Sequence, residues 1–395
     1  MILVDARLVV LVTVLCIAGS ACGGGTMDAE VEAAISGSVE DGTSSTSVST
    51  ASVQLATSTT RTTRIASTTS TTIVMKSLVD IVEGRYQGGV GAVIVGMFGE
   101  TAVTAAAGVD GDGRPVAVDR PWMTASLAKV ITATAVLQIV EGGGVDMDAP
   151  VAGYVDFPMS DRITVRHVMQ HKSTIPNMFS HIGACTDEST VEEIKQRAGT
   201  EPVGVPGEVS EYSNTNYLVL GLLIEAVTGQ DPGDYVKENI FEPLGMDSTY
   251  WYESQEGPAP WWPDPASSQG VSIFDCGELG RTVGTDGAVV TTLQDMDSFY
   301  SGLFGGVLIT DETLQSMIQM DSQVFGLGYG LGIMELADES RPDDVLYGHG
   351  GDAGWYQTAA FHDPVKGRSV VVFTTFGNEY SLLFETIEWA NQQTD

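Results

Sequence analysis

Residues 122–144 read WMTASLAKVITATAVLQIVEGGG, and this stretch decides the fold. From Ala125 to Glu141 nearly every side chain is small or apolar, and three glycines then end the helix that this composition favours. A helix that is apolar on all sides is buried inside a domain. Lys129 lies near its start, where an unpaired ammonium group would be costly. The stretch therefore predicts a buried helix whose lysine has a chemical partner.

That partner is predicted to be Ser126. Of the six lysines, Lys129 is the one with a serine three residues before it. Residues three apart on a helix share one face, with Cβ atoms about 5–6 Å apart. Burial lowers the pKa of a lysine, so that its neutral amine can take the hydroxyl proton and make Ser126 a nucleophile. The alternative is a lysine that extends to solvent beside a chance serine.

A second polar segment, EYSNTNY, covers residues 211–217 after the turn Val205-Pro206-Gly207. Tyr212 near a cationic lysine would have a lowered pKa and could relay a proton. Asn214, two residues further on, could hydrogen-bond Lys129 or a substrate amide. The alternative is a polar loop before a helix, with Asn214 or Asn216 as the N-cap.

A third segment, GHGGDAGW, covers residues 348–355. Gly350 and Gly351 allow another backbone to approach closely, so a substrate could lie along this strand edge. A backbone N–H near Asp352 is predicted to complete an oxyanion hole with that of Ser126. His349 is expected to contact the leaving group or a substrate carboxylate, and Trp355 to line the cleft. The alternative is a glycine-rich turn with an incidental histidine.

The two ends of the domain favour strands and its middle favours helices. We predict a helix over 77–86, a hairpin over 91–107, helices over 164–170, 190–198, 216–228 and 233–239, strands over 328–335, 357–362 and 369–375, and a last helix over 380–391. This order indicates an α/β (α+β) fold, with an antiparallel sheet built from both termini, flanking helices and an inserted all-helical subdomain.

The first 75 residues are predicted to lie outside the folded domain, which covers 76–395. Residues 1–22 hold an apolar run after Arg7, as in a secretory signal peptide. The run ends in a stretch that resembles a bacterial lipobox, which implies lipidation of Cys22; the alternative is cleavage after Ala21. Residues 23–75 are rich in Ser and Thr and predict a disordered linker. We expect an exported protein, lipid-anchored on the outer face of the cell membrane or secreted.

The net charge of −34 lies almost wholly on the domain, since residues 1–75 account for −3 of it. Such a surface repels nucleic acid and anionic lipid heads, so we expect membrane contact through the lipid anchor alone. Cys185 and Cys276 remain in the domain and either form a disulfide or stay as two buried thiols. His167 and His171 have the spacing of a zinc-protease helix, but its catalytic glutamate is missing, so we predict no metal site.

Ser126-x-x-Lys129, Tyr212-x-Asn214 and His349-x-Gly351 stand in the order of three motifs of a known superfamily. Over residues 77–390 the chain resembles class C β-lactamases, penicillin-binding proteins and D-alanyl-D-alanine carboxypeptidases. It departs from them at His171-Lys-Ser-Thr174, where His-Thr-Ser-Gly is usual, and at Asp352, where a small residue is common. His349 replaces the lysine of true class C β-lactamases and is typical of carboxypeptidase-like and esterase-like members.

The resemblance implies a serine hydrolase that needs no cofactor. Ser126 is the expected nucleophile, Lys129 and Tyr212 take its proton, and an acyl-serine intermediate is released by water. The favoured function is hydrolysis of a small ester or amide, including D-amino-acid peptides. One alternative is a cell-wall D-Ala-D-Ala carboxypeptidase or weak β-lactamase, with peptidoglycan as a partner. Another is a penicillin-binding surface sensor that is acylated without turnover. We expect a monomer.

Overall fold

The computed structural model describes residues 78–178, 191–198, 204–252, 284–338, 341–353 and 356–392. The predicted signal peptide, linker and lipidation site at Cys22 lie outside these residues. Cys185, Cys276 and Trp355 also lie outside them. The described part holds the three segments from which the chemistry was predicted, apart from the end of the third.

Eleven strands occur in the described part of the chain. They are β1 (Gly91–Phe98), β2 (Val103–Val109), β3 (Trp122–Met123), β4 (Tyr250–Trp251), β5 (Val289–Thr291), β6 (Ser322–Val324), β7 (Leu327–Tyr329), β8 (Met334–Asp338), β9 (Arg341–Asp352), β10 (Gln357–Asp363) and β11 (Arg368–Thr374). Eight of them form one sheet in the order β2-β1-β11-β10-β9-β8-β7-β6. The other three form a small sheet, in the order β3-β5-β4, which the sequence did not predict.

The large sheet joins the two ends of the domain, as predicted. β1 pairs antiparallel with β11, so that Val93 faces Thr374 and Phe98 faces Ser369. β1 also pairs antiparallel with β2, which confirms the predicted hairpin. β10 and β11 are buried along their whole length, because helices cover both faces of the sheet at its centre. The predicted fold class is therefore confirmed.

Helices cover the sheet and form the middle of the chain. The α-helices of five or more residues in the described part are α1 (78–85), α2 (Ala128–Glu141), α3 (Val165–Met169), α4 (Val191–Ala198), α5 (Asn214–Thr228), α6 (Pro232–Val236), α7 (Leu293–Phe304), α8 (Asp311–Met317) and α9 (Glu379–Asn391). The prediction for α2 is confirmed, since ten consecutive residues from Ala128 to Leu137 are buried. A short 3-10 helix, Ala125–Leu127, leads into α2 and carries Ser126.

Two of the predicted boundaries that differ from the structure lie at the site. The stretch 328–335 is two strands rather than one, because residues 330–333 form a turn between β7 and β8. Gly332 in that turn has a φ of +80°, and a Cβ there would lie 2.3 Å from Cβ of Ala133 on α2. The turn therefore packs tightly on the helix that follows Ser126. The second error concerns α5, which begins at Asn214 with Ser213 as its N-cap, so neither Asn214 nor Asn216 is the cap.

The buried apolar residues form two clusters, one on each face of the sheet. The larger joins α2 and α5 to the sheet, and the smaller joins α1 and α9 to its other face. Trp122 and Trp251 are fully buried in the larger cluster and are packing residues. Among the described helices, none combines the length and the apolar character that crossing a bilayer requires.

Candidate active site

Ser126 and Lys129 meet at the start of α2. Lys129 Nζ lies 2.9 Å from Ser126 Oγ, the distance of a hydrogen bond. The lysine side chain is fully buried, so it does not extend to solvent. Burial lowers its pKa from the ordinary value to about 8, and the nearby Asp286 carboxylate opposes that change. The expected pair is therefore formed, with an amine that becomes neutral on the alkaline side of neutrality.

The backbone around Ser126 is held in an unusual shape by strand β9. Ala125 has a φ of +48°, which L-residues rarely adopt. A Cβ on Gly351 would lie 2.3 Å from the Thr124 carbonyl oxygen and 3.0 Å from the Ser126 nitrogen. The Thr358 hydroxyl on β10 also donates to the Thr124 carbonyl oxygen at 2.7 Å. Gly351 was expected to admit another backbone, and the backbone that it admits is the protein's own, just before Ser126.

Asp286 is the residue near Lys129 that the sequence did not predict. Its backbone carbonyl accepts a hydrogen bond from Lys129 Nζ at 2.7 Å. Its side-chain Oδ2 lies 3.8 Å from the same nitrogen, and the carboxylate is 6% exposed. Burial raises the pKa of Asp286 to about 6, although the charge of Lys129 opposes this. Two buried ionisable groups thus lie side by side behind Ser126.

Tyr212 shares a hydrogen bond with the hydroxyl of Ser126. Lys129 Nζ is 5.2 Å from the centre of the Tyr212 ring. The expected lowered pKa is wrong: burial raises the pKa of Tyr212 well above its ordinary value, and the bond to Ser126 offsets this only in part. The phenol therefore stays protonated near neutral pH and is a proton donor or relay, not a tyrosinate base.

Asn214 does not bond Lys129 in this structure, where Lys129 Nζ bonds Ser126 Oγ and the Asp286 carbonyl oxygen. The Asn214 Nδ2 instead lies 3.4 Å from Asn177 Oδ1. Its own Oδ1 is buried without a hydrogen-bond partner among the described residues. Lys129 and a substrate amide were the two partners expected for Asn214. The Asn214 Oδ1 is able to accept a hydrogen bond from the N–H of a substrate amide.

His349 is placed differently from the expectation. Its ring is 1% exposed, Nδ1 contacts the Gly350 carbonyl oxygen and Nε2 contacts the Tyr329 hydroxyl at 3.2 Å. A carbonyl can only accept, so Nδ1 carries the proton and Tyr329 donates to Nε2. Burial and the charge of Lys129 lower the pKa of His349 to about 3, which keeps the ring neutral. Both nitrogens are engaged, so the predicted contact with a leaving group or carboxylate is not made from this position.

His171 is a second buried histidine at the site, and its role was not predicted. Its Nδ1 accepts from the Ser213 backbone N–H at 3.2 Å and from Asn216 Nδ2 at 3.0 Å. The proton must therefore be on Nε2, which has no partner among the described residues. The ring lies 4.4 Å from the ring of Tyr212, centre to centre, so the two rings pack against each other. Burial lowers the pKa of His171 well below its ordinary value.

The turn at Phe325-Gly326 brings an aromatic ring against Tyr212. The two residues connect β6 to β7, and both have positive φ, +54° and +79°. Two-residue hairpin turns of this kind favour Asn, Asp or Gly at the first position, because a bulky side chain is strained there. The Phe325 ring lies 4.9 Å from the Tyr212 ring, centre to centre. In the sequence, Phe325 stands before Gly326 at a position where such a turn favours Asn, Asp or Gly. Once the hairpin was recognised, this unusual residue would have indicated that the Phe325 ring has a specific contact.

The rest of the third segment lies at the end of β9. A Cβ on Gly350 would lie 2.1 Å from the Tyr380 hydroxyl oxygen, so this glycine admits a side chain of α9. Asp352 is exposed and pairs with Gln357 across the sheet. Burial raises the pKa of Glu379 to about 7, and the charge of Asp352 adds to this effect. The carboxylate of Asp352 therefore stands near a second acid at the strand end that adjoins Ser126.

The family model described as Beta-lactamase matches residues 76–385. PbpX of Bacillus subtilis (strain 168), which is named as a penicillin-binding protein, is 28% identical over 212 residues, 52% of this chain and 52% of its own length. Penicillin-binding protein 4 of Amycolatopsis lactamdurans is 29% identical over 206 residues, 51% of this chain and 50% of that protein. The chain thus spans about half the length of the curated relatives that it matches.

Solved structures share the fold. The crystal structure of D-amino acid amidase from Ochrobactrum anthropi SV3 superposes with a TM-score of 0.70 at 22% identity, over 82% of this chain and 98% of that one. A penicillin-binding protein from Bacillus halodurans gives a TM-score of 0.66 at 21% identity, over 79% of this chain and 98% of that one. At such identities the likeness establishes the arrangement of helices and strands.

Proposed function

Because the chain belongs to the Beta-lactamase family of serine hydrolases, we propose that it hydrolyses a small ester or amide through an acyl group on Ser126. The observation that carries the proposal is the 2.9 Å contact between Ser126 Oγ and the buried Lys129 Nζ. A hydroxyl beside an amine whose pKa is lowered is the arrangement of an activated nucleophile. D-amino-acid peptides, esters and amides are within the proposed substrate range.

In the proposed acylation, Ser126 Oγ attacks the substrate carbonyl while neutral Lys129 takes its proton. The backbone N–H groups of Ser126 and of a residue near Asp352 hold the oxyanion. The alcohol or amine then leaves with a proton relayed through the Tyr212 hydroxyl, which is protonated at neutral pH. In the second step a water molecule attacks the acyl group and loses a proton to Lys129. The bond between the acyl carbon and Ser126 Oγ then breaks, and Lys129 returns the proton to Oγ, which frees the acid and restores the Ser126 hydroxyl. Asn214 Oδ1 orients the substrate by accepting from its amide.

The charges around the site favour a substrate without a carboxylate. His349 is neutral and both its nitrogens are engaged within the protein, so it offers no cation to a carboxylate. The exposed Asp352 and the acidic domain repel anions. We therefore propose an uncharged or cationic ester or amide as the main substrate class.

A second function is supported by the relatives. Two curated relatives are named as penicillin-binding proteins, which favours a cell-wall D-Ala-D-Ala carboxypeptidase or weak β-lactamase. D-Ala-D-Ala peptides and β-lactams both carry a carboxylate. His349 is neutral and provides no cation to bind that carboxylate. A sensor that is acylated without turnover would use the same Ser126 and Lys129 pair.

The test labels the protein with a fluorophosphonate and with a fluorescent penicillin. We expect both probes to label the wild type and neither to label Ser126→Ala. Ser248→Ala, which removes an exposed serine away from Lys129, is the control and should label normally. Equal labelling of Ser126→Ala and the wild type would refute the assignment of the nucleophile.

A substrate panel separates the functions. We expect turnover of p-nitrophenyl acetate and of a D-amino acid amide to exceed turnover of a chromogenic cephalosporin and of a D-Ala-D-Ala peptide. The reverse order would favour the carboxypeptidase or β-lactamase. One round of labelling without release would favour the sensor.

We further propose export with a lipid on Cys22, on the strength of the apolar run in residues 1–22 and the cysteine that ends it. Metabolic labelling with a fatty acid should mark the wild type and not Cys22→Ser. We propose that the folded domain, residues 76–395, is a monomer, and light scattering tests this.

A further inference from the structure

A buried carboxylate lies behind the lysine of the active site, where the proposed mechanism gives it no part. Asp286 Oδ2 is 3.8 Å from Lys129 Nζ, and Ser126 Oγ is 2.9 Å from the same nitrogen. The amine is therefore close to both the nucleophile and a negative charge. Lys129 is fully buried and Asp286 is 6% exposed, so water screens their attraction weakly.

The turn that carries Asp286 is fixed on both sides. The Thr132 hydroxyl on α2 donates to the Thr285 carbonyl at 2.7 Å, and the Thr285 hydroxyl donates to the Tyr217 carbonyl on α5 at 2.7 Å. The Asp286 carbonyl is held by Lys129 itself. The residue before Asp286 is thus bonded to both helices of the site. The carboxylate has little freedom to move away from the amine when the protonation of the amine changes.

The other ionisable groups around Lys129 act in a different way. The rings of Tyr212 and Tyr217 lie 5.2 Å from Nζ, and burial raises the pKa of both phenols, so they are uncharged near neutrality. His171 and His349 are also within electrostatic range, and burial keeps them neutral. Among the described groups that surround the amine, Asp286 is therefore the one that carries charge against it.

Resting on the proposed function, we propose that Asp286 is a positioning residue that holds Lys129 against Ser126 and sets the pH at which the lysine becomes a base. An ammonium group cannot take the Ser126 proton, so the amine must lose its own proton before acylation. A carboxylate at 3.8 Å stabilises the ammonium form and delays that loss to higher pH. Asp286 therefore raises the pH that activity requires, and it also keeps the Lys129 amine close to Ser126.

The test measures the rate of fluorophosphonate labelling of Ser126 against pH, for the wild type and three variants of Asp286. The plot of wild-type labelling rate against pH should have a rising limb with its midpoint near pH 8, where Lys129 loses its proton. Asp286→Asn and the smaller Asp286→Ala should move this limb down by at least one pH unit. At pH 7, below the wild-type limb but above the pKa of about 6 at which Asp286 itself gains a proton, both variants should therefore label about fivefold faster than the wild type. Asp286→Glu, which restores the charge, should move the limb back up.

Asp295→Asn is the matched control. Asp295 is another buried carboxylate, bonded to the Ser248 backbone N–H at 3.0 Å and to the Thr249 hydroxyl at 2.7 Å. Its loss should lower thermal stability and leave the limb in place. The inference would be overturned if the limb had the same midpoint pH in the wild type, Asp286→Asn and Asp286→Ala. It would also be overturned if the wild-type midpoint lay at the ordinary pKa of lysine. A wild type that does not label at Ser126 would instead refute the proposed function.

Discussion

Adding one methyl group at Gly351 should disable the site while the domain stays folded. A Cβ at this position would lie 2.3 Å from the Thr124 carbonyl oxygen, 2.5 Å from Thr358 Oγ1 and 3.0 Å from the Ser126 nitrogen. Ordinary Cβ contacts begin near 3.4 Å, so β9 and the segment before Ser126 must separate by about 1 Å. In Gly351→Ala the nucleophile therefore moves relative to the backbone N–H groups that would hold the oxyanion.

The expected loss follows from that displacement. A misplacement of about 1 Å costs on the order of 100-fold in rate, and losing one oxyanion donor costs about 100- to 1,000-fold. We expect kcat/KM for p-nitrophenyl acetate to fall about 100-fold or more in Gly351→Ala. The strain of the extra methyl should lower the free energy of unfolding by about 1–3 kcal/mol.

The control for this experiment is Gly84→Ala. Gly84 lies on the exposed side of α1, and a Cβ there would have nothing within 4 Å. This variant should keep wild-type kinetics and equal or higher stability, because alanine favours a helix more than glycine does. Circular dichroism and thermal melts check that both variants fold. Wild-type kinetics in a folded Gly351→Ala would refute the close seating of β9 on Ser126.

Two further predictions concern other parts of the structure. His362 is 5% exposed, and burial lowers its pKa to about 4. Between pH 6.5 and 4 the imidazole is therefore protonated in the unfolded chain and neutral in the folded chain. The free energy of unfolding consequently falls as the pH falls through this range. His362→Phe keeps a ring beside Phe304. In urea titrations, its free energy of unfolding should fall by about 2 kcal/mol less than that of the wild type between pH 7 and pH 5. Equal decreases in the two proteins would contradict this reasoning. Phe325→Asn relieves a strained turn but removes the ring that contacts Tyr212, so the melting temperature should hold or rise while kcat falls. An unchanged kcat would show that the ring contact does not position Tyr212.

The sequence was sufficient to predict the contacts that depend on local spacing. Ser126 lies in the 3-10 helix that leads into α2, and Lys129 lies in the first turn of α2. The two are three residues apart in a continuous helical stretch, so their contact follows from helix geometry. Gly351 was expected to leave space for a substrate backbone, and the structure shows the protein's own backbone before Ser126 in that space. The buried α2 and the sheet made from both ends of the domain follow from composition and order in the same way.

The contacts that depend on distant parts of the chain could not be predicted in this way. Asp286 reaches Lys129 from 157 residues along the chain, in a short turn that has no recognisable motif. The pKa of Tyr212 was expected to fall because Lys129 is near, but the sequence does not show how deeply the phenol is buried, and burial has the larger effect. His349 was expected to face the substrate, and the Tyr329 hydroxyl that occupies its Nε2 comes from a different strand.

The pairing of β1 with β11 has a consequence for how the chain is made. Residues near 93 find their partners near 374, so the centre of the sheet cannot close until almost the whole domain has been synthesised. Until then the β1–β2 hairpin presents an open, apolar strand edge, which is prone to pair with other chains. Chains that stop before β11 should therefore aggregate rather than form a smaller enzyme, and refolding of the full domain should be slow because its central contacts are so distant in sequence.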